Sequence, residues 1–358
     1  MRIIYSICSW GIGHATRSLP VIRRLIEEDN DITIISHDRS LNLLQRELGD
    51  KVKYIDIPDY PILISENTQQ FIAKTLIYWP LFIRNMQNGF QRLDEILRKQ
   101  PYDVIISDGR YDMYNRRIPS IFISHQMRIM NPLRIHMLEE GSELFNLFFF
   151  KRFREVIVPD YRENDFSGNL SHNLKRIDED KIHYVGILSD FKKIDLIKNI
   201  DYLISITGPE PQRSVLEKKI LSQIDDLNGN IVLTRGKTEI EENNLSENIK
   251  IYSYLSREDR EEILNRSKMV ISRSGYSTIM DLAVIGTKAL MIPTPGQSEQ
   301  EYLALYHHRK GTCYTVDQDN IILSEHIEEA EKTKGFPGDC NVEKTVENIL
   351  DIIYSTTL

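Results

Sequence analysis

The chain has 358 residues, 41% hydrophobic and 27% charged, with a formal charge of −8. That is ordinary soluble composition, which excludes a disordered or collagen-like chain, and 53 Asp plus Glu against 45 Lys plus Arg argues against a nucleic-acid binder that works by counterion release. The length predicts about two domains, because single hydrophobic cores stop growing near about 250 to 300 residues.

Strand-like runs alternate with helical patterns, the mark of parallel sheets built from βαβ units, so the predicted fold class is α/β. In chain order the predicted strands are Ile3–Cys8, Ile32–Ser36, Val52–Ile57, Val104–Ser107, Ile121–Ser124, Val156–Val158 and Ile182–Val185. The pattern restarts at Tyr202–Ile206, Ile231–Thr234, Ile249–Tyr252, Met269–Ser272, Ala289–Ile292 and Thr312–Val316. Two sheets in tandem fit this better than one very wide sheet. The charged stretch 186–199 between them is the expected boundary, giving domains at 1–188 and 189–338. Residues 339–358 form a closing helix, with Asn341 as N-cap, that is expected to return to the first domain.

Cys8, Cys313 and Cys340 have no metal-type spacing and an odd count, so buried thiols are expected rather than a disulfide framework. The longest strongly apolar run, Leu144–Phe150, is far short of the roughly 20 residues of a membrane span, and the first residues lack the apolar core of a signal peptide. A cytoplasmic location is the expectation. The segment 70–87 carries two apolar faces, Ile72, Leu76, Trp79 and Ile83 on one and Phe71, Tyr78 and Phe82 on the other, with Lys74 and Arg84 nearby. The excess face reads either as a contact with a membrane surface or as the cover of a bend at Pro80, which should break or kink the helix. The run Leu144–Phe150, followed by Lys151, Arg152 and Arg154, is expected to lead into a buried strand instead.

Two motifs carry chemistry. The turn SWGIGHATRS (9–18) directly follows the first strand and opens a helix, where Gly13 and its neighbours let a ligand approach the backbone and unpaired N–H groups favour an anion. In it His14 is either a reactive imidazole or a helix-cap or packing histidine. The second motif, 269–302, runs strand, RSG turn, helix, Gly, strand and Pro-rich loop. Ser274, Gly275 and Tyr276 open the helix, so their N–H groups and the macrodipole favour a diphosphate. Asp281 lies seven residues after Ser274, about 10.5 Å further along the same face, the reach of a ribose, although a solvated helix carboxylate has the same spacing. In TGPEPQRS (207–214), which holds Gly208, Arg213 either neutralises a phosphate or is a solvated helix-start arginine. The DxD pattern within IDED (177–180) sits in a charged loop, and adjacent His307 and His308 diverge by about 100° on a helix, so no metal site is expected.

The segment Arg273–Tyr302, the GxGH turn at 11–14 and the strand and loop at 103–112 resemble the GT-B glycosyltransferases, particularly the branch containing the lipid-linked N-acetylglucosaminyltransferase of peptidoglycan synthesis. The resemblance implies two Rossmann-like domains facing a central cleft, the second, of the glycosyltransferase family 28 type, binding the nucleotide sugar. It implies diphosphate binding at Ser274 and Gly275, ribose hydroxyls at Asp281, the base at the backbone of Leu255, and a donor-sugar hydroxyl at Gln300. It also implies that His14 lies near the reacting centre with Asp108 orienting its ring. The sequence departs from that pattern at Asp281, where the family has Glu, and at Ala304, where it often has Asn. The expected function is transfer of a sugar from a nucleotide diphosphate sugar, most simply UDP-linked, to an acceptor hydroxyl, without cofactor or metal, and with an acceptor that is lipid-linked or presented at a membrane. A nucleotide-sugar 2-epimerase and a non-catalytic nucleotide-sugar-binding regulator are the alternatives.

Overall fold

The computed structural model describes residues 1–60, 68–131, 135–236, 242–253 and 255–357, with the backbone alone described at 68–76 and 242–245. The chain forms two compact units, Met1–Asp190 together with Asn341–Leu358, and Phe191–Cys340.

In the first unit the strands β1 (Arg2–Ile7), β2 (Asp31–Ser36), β3 (Lys53–Asp56), β4 (Val104–Asp108), β5 (Ser120–Ile123), β6 (Glu155–Val158) and β7 (His183–Tyr184) form one sheet. Its order is β3-β2-β1-β4-β5-β6-β7, and every neighbouring pair is parallel. Strands covered by helices on both faces need unbroken apolar runs rather than alternation. Ile3, Ile4 and Tyr5 of β1 and Val104, Ile105 and Ile106 of β4 supply them, all fully buried. Helices α1 (Gly13–Glu27) and α2 (Asp38–Leu48) carry the chain outward to β3, and α3 (Thr68–Lys99) returns it to β4 on the other side of β1. The strand order therefore reverses at the β1/β4 pair, the place where sheets of this kind bind ligands. α4 (His136–Phe150) precedes β6.

Of the break or kink expected at Pro80, the break is absent: α3 runs continuously over 32 residues, Thr68–Lys99. A proline removes one ladder bond, and several turns of intact ladder on each side, with Leu93 buried in the core, hold the rest together. Around Pro80, Ile77, Tyr78, Trp79, Leu81 and Ile83 are exposed, whereas Phe82 is half-buried with its ring 4.6 Å from that of the buried Tyr60. Phe71, Ile72, Lys74 and Leu76 lie outside the residues whose side chains are described.

The second unit repeats the plan with β8 (Ile200–Ser205), α5 (Gln212–Leu221), β9 (Ile231–Thr234), β10 (Glu242–Ser246), β11 (Ile249–Tyr252), α6 (Arg257–Arg266), β12 (Ser267–Ser272), α7 (Tyr276–Ile285), β13 (Lys288–Met291), α8 (Ser298–Arg309), β14 (Tyr314–Thr315) and α9 (Leu323–Glu331). The sheet order is β10-β11-β9-β8-β12-β13-β14, so here the reversal lies between β8 and β12. β10, which pairs antiparallel with β11 at the edge, was not anticipated because ENNLS has neither apolar alternation nor β-branched residues. Finally α10 (Val342–Thr357) is capped by Asn341, whose Oδ1 accepts the Lys344 N–H at 2.9 Å. It packs its buried Val346, Ile349, Leu350 and Ile353 in the first unit, against α1 and β6.

Behind α3 a buried ion pair fixes the region next to the first reversal point. Arg110 Nη2 donates to Asp112 Oδ2 at 2.8 Å and the Tyr60 hydroxyl donates to Asp112 Oδ1 at 2.6 Å, all three buried. Gly89 of α3 lies directly over this carboxylate, and a Cβ on it would stand 1.7 Å from Asp112 Oδ2. Gly89→Ala is expected to destabilise the protein by about 3 kcal/mol or more, the cost of prising apart a buried pair. Gly141→Ala on α4, where a Cβ meets nothing within 4 Å, is expected to add up to about 1 kcal/mol. Urea midpoints of the two variants check both.

Candidate functional site

At the carboxyl end of β1 the chain turns through residues 8–12 before α1 begins at Gly13. The turn is tied down from β3's side: the Ser9 N–H and hydroxyl both donate to the buried Asp59 carboxylate, at 2.5 and 2.6 Å. Trp10 Nε1 donates to the Tyr60 carbonyl at 2.7 Å. No side chain caps α1. His14, in its first turn, points back to the end of β4, where its Nδ1 lies 2.7 Å from Asp108 Oδ1. Gly109 makes room for the ring: its φ is +76°, and a Cβ there would come within 2.9 Å of His14 Cε1.

Asp108 is fully buried and heavily bonded. Arg17 Nε donates to Oδ2 at 2.8 Å, Arg17 Nη2 donates to Oδ1, and the Ser18 hydroxyl donates to Oδ2 at 3.0 Å. Burial opposes its charge, but Arg17 and His14 outweigh that and hold the carboxyl well below the usual carboxylate range. A carboxylate only accepts, so His14 Nδ1 carries the proton and donates it, which leaves the lone pair on Nε2. Arg17 extends the cluster: its Nη1 lies 2.8 Å from Nδ1 of His125, a buried residue just past β5, and the two imidazole rings are 6.4 Å apart.

In the second unit the residues of the RSG motif close β12 and open α7. Gly275 is the N-cap, with no side-chain cap, and a Cβ on it would meet nothing within 4 Å among the described residues. Tyr276 is buried, and Ser274 is fully buried with its hydroxyl donating to the Gln300 carbonyl at 2.8 Å. Gln300 Oε1 accepts the Thr294 N–H at 2.9 Å and its amide donates to Gln297 Oε1 at 2.5 Å, so that side chain braces the Pro-rich loop. Asp281 is half-buried on α7, and Leu255 is buried before α6.

Across the reversal point, Gly208 follows β8 with φ +109°. Arg213 is engaged by Glu210, its Nη2 donating to Oε1 at 2.6 Å, and Nη1 donates to the Gly236 carbonyl at 3.2 Å. Arg273 differs: among the described residues it has no carboxylate partner. It is buried, and its Nη atoms donate only to neutral oxygens, the carbonyls of Ile292, Pro293 and Gln212 and the amide of Gln318. Burial alone lowers its pKa to about 10. Its Nε and the Thr294 hydroxyl are buried without a hydrogen-bond partner among the described residues. A Cβ on Gly208 would lie 3.8 and 3.5 Å from those two atoms, so both look onto the Gly208 turn. A buried cation with no counter-charge is costly, and an anion at this turn would relieve it.

The structure thus brings His14 and Asp108 together in the first unit, and gathers Gly208, Arg273 and the α7 N-terminus around the reversal in the second. Arg17, His125 and Arg273 escaped the sequence reading. The signal for two of them was present: Arg17 falls one turn after His14 on a helix otherwise buried by Leu19, Val21 and Ile22, and Arg273 heads the RSG turn.

The first unit also carries an exposed apolar surface. Ile77, Tyr78, Trp79, Leu81 and Ile83 of α3 and Met137, Leu138, Leu144 and Phe148 of α4 are all exposed, and Trp79 touches Phe82 at 5.5 Å and Phe145 at 6.4 Å between ring centroids. The Arg152 guanidinium lies 4.4 Å over the Phe148 ring. The run Leu144–Phe150 is therefore not simply an approach to a buried strand: its helical phase turns Leu144 and Phe148 to solvent and Phe149 and Phe150 inward. Among the described residues no helix is long and apolar enough to cross a membrane.

Residues 209–345 match the family model described as glycosyltransferase family 28 C-terminal domain, and residues 1–136 match glycosyl transferase family 1. An uncharacterized glycosyltransferase of Methanosarcina acetivorans is 24% identical, over 98% of this chain and 98% of its own. The UDP-N-acetylglucosamine–N-acetylmuramyl-(pentapeptide) pyrophosphoryl-undecaprenol N-acetylglucosamine transferase of a Sulfurihydrogenibium species is 25% identical, over 80% of this chain and 87% of its own. The solved glycotransferase of kitacinnamycin shares the fold, with a TM-score of 0.63 at 14% identity over 99% of this chain and 95% of its own.

Asp108 gives a pH signature. Its folded-state pKa lies below the unfolded value of about 3.9, so the stability it contributes is complete above about pH 4 and is lost as the pH falls from there towards the folded value. Asp108→Asn, which strands buried Arg17, is expected to cost about 3 kcal/mol at pH 7. The gap between wild type and variant should shrink by pH 3, as read from urea midpoints at the two pH values.

Proposed function

The chain is a glycosyltransferase of the GT-B fold carrying a family 28 C-terminal domain, and on that premise we propose that it moves a sugar from a uridine diphosphate sugar to an acceptor hydroxyl without a metal ion. The observation that carries the reading is the His14–Asp108 hydrogen bond at 2.7 Å, at the end of β1 and β4. It holds Nδ1–H on the carboxylate, so Nε2 is the basic atom. In the proposed step Nε2 takes the acceptor's hydroxyl proton as the oxygen attacks the anomeric carbon. The bond from that carbon to the diphosphate breaks, and the nucleoside diphosphate leaves with the electron pair.

The second unit meets the leaving charge. The N-terminus of α7 at Ser274 and Gly275 brings the positive end of the helix dipole, and Arg273, behind the Gly208 turn, supplies a cation that pairs with no carboxylate among the described residues. These replace the role a metal would play. Arg213 has the weaker claim because Glu210 holds it. Asp281 takes the ribose hydroxyls, Leu255 the base through its backbone and Gln300 a sugar hydroxyl. The uridine assignment leans on the donor in the printed name of the Sulfurihydrogenibium relative.

Purified protein incubated with UDP-, GDP-, ADP- and TDP-sugars and a hydroxyl acceptor is expected to turn over the UDP-sugar, unaffected by EDTA. A product isomerised without any acceptor would instead identify a 2-epimerase. His14→Ala should lower turnover about 100-fold or more while UDP affinity holds. Asp281→Ala should weaken UDP binding by about 1 to 3 kcal/mol in calorimetry. Unchanged turnover in the first variant would remove His14 as the base.

The acceptor is proposed to be lipid-linked, reached from the cytoplasmic side by a protein held at the membrane surface. The exposed Tyr78, Trp79 and Leu81 beside Leu144 and Phe148, with Arg84 and Arg152 at hand, have the composition of an interfacial contact. Sedimentation with anionic liposomes is expected to carry down wild type and to leave a Trp79→Glu, Phe148→Glu double variant in the supernatant. Both remaining in the supernatant would favour a soluble acceptor.

A further inference from the structure

The turn between β1 and His14 carries an exposed indole that the fold holds still. Trp10 is 43% exposed, yet its Nε1 is spent on the Tyr60 carbonyl at 2.7 Å and its ring meets that of the buried Tyr60 edge-on, 6.2 Å between centroids. The residues on either side are tied as well, Ser9 by the buried Asp59 carboxylate and the Gly11 carbonyl by the Ser40 hydroxyl at 3.2 Å. Gly11 has φ +90°, in the left-handed region that favours glycine, so the chain turns sharply between Trp10 and His14. With its N–H committed, the indole offers a ligand only its apolar ring, fixed before the ligand arrives.

The segment that holds Trp10 also lines a groove. Its Ile57 and Pro58 carbonyls are fixed by the buried Arg110 at 2.7 and 3.3 Å, and Asn85 of α3 donates to the Asp59 carbonyl at 2.8 Å. Across from them Asn85, Asn88, Arg92 and Glu95 recur at helical spacing along one face of α3, with Gln91 beside them, and Asp56 stands at the end of β3. The cavity measures about 360 Å³, near the lower limit of about 300 Å³ for ligand pockets. Its charges are paired among themselves: His37 Nδ1 lies 2.7 Å from Asp56 Oδ1, and Arg92 Nη1 donates to Glu95 Oε2 at 3.1 Å. Such pairing leaves no excess of either sign for a free anion or cation. A hydrocarbon chain would strip water from carboxamides and carboxylates that it cannot bond. The lining suits a neutral ligand bearing many hydroxyls, because a hydroxyl donates to carboxylates and accepts from amides and a guanidinium.

We propose that Trp10 and this groove form a saccharide subsite, the indole packing against the C–H face of one sugar ring while Asp56, Asn88, Gln91 and Arg92 bind the hydroxyls of the next. The inference rests on the reading of the first unit as the acceptor side, with the attacked hydroxyl at His14. In the sheet β2 separates β3 from β1, so the groove at the end of β3 lies two strand spacings, about 10 Å, from the turn that carries His14. One sugar ring does not cover that span. The acceptor therefore carries at least two rings, the first bearing the attacked hydroxyl beside Trp10 and the second in the groove.

Trp10 and Trp79 are the two tryptophans of the chain, so in Trp79→Phe the emission of Trp10 reports on its own surroundings. Titrating that variant with cellobiose, maltose and N,N′-diacetylchitobiose, without donor, is expected to give a saturable change with at least one of the three, and a weaker one with glucose. Octyl phosphate below its micelle-forming concentration should give none. For the disaccharide that binds, Asn88→Ala and Gln91→Ala, both at exposed positions, should each lower affinity about fivefold or more, with UDP affinity in calorimetry unchanged. In the otherwise wild-type chain Trp10→Ala should lower disaccharide affinity in calorimetry about tenfold or more, and Trp10→Phe by less. A flat titration with all three disaccharides overturns the subsite, and so does binding that the Asn88 and Gln91 variants leave intact. A response to octyl phosphate equal to that of the sugar marks a hydrocarbon site and overturns it as well. His14→Ala should bind the disaccharide as wild type does; if that variant also retains full turnover, the base assignment fails and the subsite stands. Transfer to octanol by a protein that binds no disaccharide removes the subsite and leaves the transfer reading.

Discussion

A carboxylate buried at the end of a central strand is tolerable only if its charge is met on the spot, and Asp108 is met four times over. Arg17 grips both oxygens, and His14 and Ser18 one each, four bonds from three residues. Removing any one leaves a buried charge or donor short of a partner, which costs far more than the bond itself contributes when made. The cluster links β1, through the turn that leads into α1, with β4 and the residue just past β5. The position of the His14 imidazole and the alignment of three neighbouring strands are thus one constraint rather than two.

That coupling follows from topology. When the strand order reverses, the loops after two adjacent strands run in opposite directions and leave a gap at their carboxyl ends. Each unit has one such gap, at β1/β4 and at β8/β12, and the two are furnished differently. The first holds an anion bonded by a guanidinium, an imidazole and a hydroxyl. The second holds the reverse, a buried guanidinium that pairs with no carboxylate among the described residues, beside the N-terminus of α7. A fold used twice has been given opposite electrostatic defects, a buried carboxylate in one unit and a buried guanidinium in the other.

How much of this could be read beforehand depended on whether the signal was local. Apolar runs such as RIIYSI and SKMVIS announce buried parallel strands wherever they occur, and both lie where they were expected within a residue or two. ENNLS announces nothing, because β10 is made a strand by its partner β11 and not by its own residues. Pro80 was read as a break or a kink, and the helix runs through it without a break because one lost hydrogen bond does not end a helix of this length. His14 and Asp108, 94 positions apart, were paired only by family resemblance, and their contact is now explicit. The partners Arg17 and His125, 108 positions apart, had no such guide. The roles of Ser274 and Gln300 were assigned from pattern alone, and their side chains turn out to be spent partly on bracing α8 and the loop before it.

The return of α10 to the first unit makes the second unit an insertion: the chain leaves at Asp190, completes Phe191–Cys340, and comes back at Asn341. During synthesis the apolar patch on α1 that receives Ile349, Leu350 and Ile353 stays uncovered until those residues emerge, by which time everything in the inserted unit is already available to fold. The order of assembly is therefore inverted relative to the order of translation. The unit begun first is the one finished last, and its incomplete form is the species a chaperone would have to shield.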